Sequence, residues 1–164
     1  MACRIPPLKS PRLRLAAAVG GQTNLDFERT EREHADLFGA VRRVVGTYRQ
    51  AGPAALAAVP PLIRMGFHDQ QIVQLITAVS LFYSGFRNAE VLAREIYSAL
   101  PETAEGLIKA RRTTEQVYDL ITTVMRKAWN CDGFKMTDLV PMARRMSNEA
   151  IIDFFSQPGK IELQ

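Results

Sequence analysis

The sequence predicts an all-α fold of seven to eight helices packed as two small lobes, and three observations carry that expectation. Apolar residues recur at helical spacing along most of the chain. Val117, Leu120, Ile121, Val124, Met125, Ala128 and Trp129 make the clearest stripe. Helix-ending residues fall between the stripes, at Gly52-Pro53, Pro60-Pro61, Gly66, Gly85 and Gly133. No segment alternates apolar and polar residues between hairpin turns, so no sheet is expected.

Residues 1–23 hold four basic and no acidic side chains around an apolar core, LAAAV, that is too short for a secretion signal. They read as a basic arm, flexible or held by a partner. Thr23 or Asn24 then caps a helix with Leu37, Phe38, Val41, Val44, Val45 and Tyr48 on one stripe and Arg42, Arg43 and Arg49 off it. In PAALAAVPPLIRMG the proline pair breaks or restarts a helix that Gly66 closes. The segment HDQQIVQLITAVSLFY, 68–83, is apolar on most sides and is expected to be a central helix. Asn88 is placed to cap the next helix, with Val91, Leu92, Ile96 and Leu100 inward.

Pro101 suits a first turn, which predicts a short separate helix over 101–110 and divides the chain into lobes at 24–100 and 101–164. A basic elbow at Lys109, Arg111 and Arg112 leads into the helix that carries the clear stripe. Thr113 and Gln116 have the spacing of a capping box for it. Its opposite face is expected to show Asp119, Thr122, Thr123 and Arg126 to solvent, with Lys127 at the margin. Thr137 and Ser147 are placed as N-caps for two closing helices.

With 164 residues, 47% of them hydrophobic, the chain can bury a sizeable core. Its net charge of +4 is modest, but the charge is uneven: residues 42–145 sum to +5, while 24–41 sum to −3 and 146–164 to −2. Two distant cysteines, Cys3 and Cys131, suggest neither a metal cluster nor a disulfide framework, which fits a reducing, cytoplasmic setting. No apolar run approaches the roughly 18 to 20 residues of a membrane span.

No phosphate loop, HExxH, paired CxxC or nucleophile elbow occurs, so no catalytic residue, metal or cofactor is expected. His68-Asp69 is the nearest to an acid–base pair, but neighbouring helical residues face different ways. The cations are better candidates. Arg42, Arg43, Lys109, Arg111, Arg112, Arg126 and Lys127 fall at helix ends or off the stripes, and Arg forks suit phosphate oxygens. Residues 137–155 have the outline of a helix-turn-helix, although the second helix is acidic at Glu149 and Asp153.

Four segments, in order, resemble the helical small subunit of Cascade-type CRISPR effector complexes. GLIKARRTTEQVYDLITTVMRKA, 106–128, is similar to the stretch in which a Leu-Ile, basic, Ala, x, Arg-Thr pattern precedes a long helix. AVRRVV, 40–45, is similar to an early Arg-Arg segment, DQQIVQLITAVSLFYSG, 69–85, to a central apolar helix, and DLVPMARRMSNEAIIDFF, 138–155, to a closing helix pair. The chain differs from type I-E members in its short FRN joint, 86–88, in Met146 where an aromatic is usual, and in the arm. A type I-E-like subunit and a diverged type IV relative both stay open. The resemblance implies a non-enzymatic subunit that assembles with copies of itself and with other effector subunits, especially the backbone subunit. Its basic face would contact guide RNA and the target or displaced DNA strand. Arg42, Arg43, Lys109 and Arg112 match the family pattern. A helical protein–protein adaptor and a helix-turn-helix regulator are the alternatives.

Overall fold

A computed structural model describes residues 24–48, 52–84, 88–128 and 133–157. The basic arm, Arg49, Gly85, Arg87, Trp129 and both cysteines lie outside the described residues, as do the side chains of Tyr48 and Tyr83. The described residues are all-helical, as the patterning predicts, with no strand among them.

Two consecutive helices stand where one was expected. The first, α1 (Asn24–Glu33), leaves Leu25 exposed and is held by local bonds, an Asp26–Arg29 pair at 3.1 Å and the Thr30 hydroxyl donating to the Asp26 carbonyl at 2.9 Å. The second, α2 (Ala35–Tyr48), begins after a turn at His34. It buries Leu37, Phe38, Val41 and Val45 and leaves Arg42 and Arg43 exposed, as its stripe predicts.

The proline pair acts as expected. Helix α3 (Gly52–Ala57) ends, Ala58 turns, and α4 (Val59–Met65) restarts with its prolines in the first turn, where missing N–H groups cost nothing. Gly66 then closes α4 at φ +101°. Helix α5 (Asp69–Ser84) buries Ile72, Leu75, Ile76 and Val79 completely, but Leu81, within the same apolar segment, is exposed.

The short helix expected over 101–110 is instead the second half of one long helix, α6 (Ala89–Lys109), with Pro101 inside it. The sequence-predicted lobe boundary therefore falls in mid-helix. An interior proline costs a helix roughly 3 kcal/mol. Ile96, Leu100, Ala104 and Leu107 are buried on both sides of it, at about 1.5–3 kcal/mol for each large side chain, so packing outweighs the lost bond. Helix α6 touches α3, α4 and α5 and, later in the chain, the helices at 114–127 and 139–143, and the described residues from Asp36 onward form one compact unit. Val91, expected inward, is 81% exposed, and Asn88 stands at the N-cap without using its side chain.

Helix α7 (Thr114–Lys127) packs along α5, and Gln71 ties their first turns by accepting from the His68 N–H at 2.9 Å and donating to Glu115 at 3.3 Å. The predicted capping box at Thr113 and Gln116 is present, as is the buried stripe from Val117 to Ala128. Thr122, assigned to solvent, is buried. Its hydroxyl donates to the Tyr118 carbonyl at 2.7 Å, which makes the burial affordable. A 3₁₀ turn at Met136–Asp138 leads into α8 (Leu139–Ala143), so Thr137 lies inside a turn rather than capping a helix. Ser147 does cap the last helix, α9 (Asn148–Ser156), accepting from the Ala150 N–H at 3.1 Å.

Between α5 and α6 the hydroxyls of Ser80 and Tyr97, both fully buried, share a hydrogen bond. Burial pushes the Tyr97 phenol above its ordinary pKa, with the Ser80 bond opposing in part. The unfolded chain therefore gives up this proton at lower pH than the folded one, so the stability present below about pH 10 declines as pH rises beyond it. Tyr97→Phe is expected to cost about 1 kcal/mol at pH 7 by leaving Ser80 without its partner, and to narrow that gap to wild type above pH 10. Urea midpoints from pH 7 to 11 check this; a constant gap would count against it.

Candidate nucleic-acid interface

The site begins where α6 ends. Ala110 caps the helix, the Arg111 N–H donates to the Ile108 carbonyl at 3.0 Å, and the Arg112 N–H donates to the Leu107 carbonyl at 3.2 Å. This is a Schellman closure, whose turning residue must take a left-handed backbone. The same closure ends α4, where Gly66 donates to Ile63 and Phe67 to Leu62. There the turning residue is glycine. At the elbow it is Arg111, at φ +71°, the only non-glycine with positive φ among the described residues. A side chain in this conformation costs on the order of 1 kcal/mol.

Arg112 points its guanidinium into the protein. Its Nε donates to the Asn148 side-chain oxygen at 3.0 Å, one terminal nitrogen to the Ala110 and Ala143 carbonyls at 3.0 and 2.7 Å, and the other to the Met146 carbonyl at 2.6 Å. Four of the five N–H donors of the fork are thus occupied. Asn148 completes the tie by donating to the Gln116 carbonyl at 3.1 Å. The elbow, the end of α8 and the start of α9 meet at the Arg112 side chain, and Asn148 links them to the first turn of α7.

Beside it lies an open cleft of about 760 Å³, whose lining holds the cations Lys109, Arg111, Arg112 and Arg144 and the carboxylates Asp119 and Glu149. Lys109 also pairs with Glu105 at 3.4 Å, a solvent-exposed contact of little energetic weight. Arg111 and Arg144 are exposed, and neither side chain has a partner among the described residues. No three His, Cys, Asp or Glu side chains gather as a metal site among the described residues, and no helix there is long and apolar enough to cross a membrane.

The chain matches no family model, no curated protein and no solved structure.

Of the seven cations singled out from the sequence, the structure brings Lys109, Arg111 and Arg112 together. Arg126 and Lys127 are exposed at the other end of α7, about 20 Å away along a 1.5 Å rise per residue. Arg42 and Arg43, on α2, do not line the cleft. Arg144, which the sequence does not single out, joins the cleft. The tie between residue 112 and residues 143–148 spans more than thirty positions of chain, so no local pattern announces it. Phe134, the aromatic that follows Gly133, is buried edge-on between Phe82 and Phe155 and belongs to the core.

Proposed function

We propose that the protein is a non-catalytic, cytoplasmic, nucleic-acid-binding subunit of an RNA-guided CRISPR ribonucleoprotein. In this reading it holds guide RNA and the target or displaced strand by phosphate contacts, beside copies of itself and the backbone subunit. The observation that carries the reading is the cleft in which Lys109, Arg111 and Arg144 converge around a guanidinium already fixed in place. The ordered resemblance of four segments supports the same reading. Two carboxylates share the cleft, which fits weak binding that needs partners. The exposed Arg42, Arg43, Arg126 and Lys127 extend the contact beyond it.

Neutralising about four phosphates gives a log–log salt slope of about −3 on single strands. Changing Lys109, Arg111 and Arg144 together to Ala, with Arg112 left intact, is expected to flatten that slope by about 2 without changing helicity. Filter binding to single strands, duplex DNA and heparin over a salt series reads it, and unchanged slope and affinity in the triple variant would sink the proposal.

A helical adaptor is the second reading, favoured by Val91 at 81% exposure beside a groove of about 840 Å³ between α3 and α6. It predicts no salt-dependent strand binding. The helix-turn-helix regulator loses ground, because Asn148, at the start of the helix that would enter a groove, is bonded to Arg112 and Gln116.

A further inference from the structure

We infer that the two adjacent arginines of the elbow divide the work, Arg111 contacting the phosphodiester backbone of a single strand and Arg112 acting as a positioning residue. This assignment rests on the nucleic-acid reading above.

The acceptors of Arg112 explain its part. The Ala143 and Met146 carbonyls flank Arg144 in the chain, and the Ala110 carbonyl immediately precedes Arg111. One guanidinium therefore fixes the backbone on both sides of Arg144 and next to Arg111, bringing the two free cations to one cleft. A side chain with four donors engaged inside the protein has one left for a phosphate.

Arg111 is the converse case. Its side chain is exposed, lines the cleft and has no partner among the described residues. Its backbone holds the left-handed turn that Gly66 holds at the end of α4. Glycine at position 111 would make the same turn without the Cβ penalty. Retaining arginine there gives up stability and keeps a cation at the mouth of the cleft, so the strain stands beside a chemical use for the side chain.

The two roles separate in one experiment on the full chain. A labelled single-stranded oligonucleotide is titrated from 50 mM to 1 M salt against wild type, Arg111→Gly, Arg112→Gln and Arg112→Lys, with thermal midpoints for each. Arg111→Gly is expected to raise Tm by about 2 °C and to make the slope shallower by about 0.7, one phosphate, which is about eightfold weaker binding at 50 mM, converging on wild type near 1 M. Arg112→Gln is expected to lower Tm and affinity with the slope unchanged. Should it not fold, Arg112→Lys decides, since it keeps the charge and is expected to lose affinity and Tm all the same. A lower Tm or an unchanged slope in Arg111→Gly, a shallower slope in Arg112→Gln, or wild-type affinity in Arg112→Lys overturns the assignment. Wild-type protein with no salt-dependent strand binding overturns the functional reading instead.

Discussion

Phe155→Ala is expected to destabilise the protein by about 3–5 kcal/mol, a large share of the 5–15 kcal/mol by which domains are typically stable. The ring is 1% exposed on α9 and stands edge-on to Phe134 and Phe154, at centroid distances of 5.0 Å each. Phe134 is in turn edge-on to Phe82 at 6.1 Å. Phe155 thus stands within a line of rings that joins the last turn of α5 to α9, and the loss combines its transfer energy, the cavity left behind and two oriented ring pairs. The half-buried Phe154 is the control, with a smaller loss. Urea midpoints compare the two; a loss under about 1 kcal/mol for Phe155→Ala would mean that α9 docks without this ring.

Gly106→Ala is expected to cost about 1–3 kcal/mol, against the ordinary helical gain of up to about 1 kcal/mol when alanine replaces glycine. A Cβ at position 106 would sit 2.8 and 3.0 Å from the two methyls of Val140 on α8. Valine is branched at Cβ and stiff at χ1, so turning one methyl away brings the other in. The helices must part instead, and α8 carries the turn that holds Arg144. Val140→Ala removes both methyls and is expected to restore much of the loss in the double variant, giving a coupling that a thermodynamic cycle measures. A Gly106→Ala protein as stable as wild type would show that α8 yields without cost.

The parts of this fold governed by neighbours in sequence were readable in advance. The box at Thr113 and Gln116, the stop at Gly66, the restart at Pro60-Pro61 and the stripe along α7 depend on spacings of four residues or fewer, and each is present. The misread features depend on distant partners. Pro101 reads locally as a beginning, and only burial on both sides of it keeps α6 whole. Thr122 reads as polar surface because its burial is decided by what packs against α7, although its hydroxyl then bonds locally to the Tyr118 carbonyl four residues back. The candidate site divides in the same way. The elbow itself was legible as a cluster of cations, but a guanidinium suits backbone carbonyls as well as phosphates. Which of the two Arg112 meets is decided by a segment more than thirty residues on. The separation of Arg126 and Lys127 from the elbow follows from helix rise alone.

Pro101 has a further consequence for how disturbance spreads through α6. Having no N–H, it leaves the Tyr97 carbonyl without a donor one turn on, so the backbone ladder has a missing rung at the middle of a 21-residue helix. Local opening that starts among residues 91–98, beside the α3 groove, can stop at that rung without unravelling the turns that lead to the elbow. The helix is continuous in geometry, yet its ladder of backbone bonds is divided at this point into two runs, one beside the α3 groove and one leading to the cations.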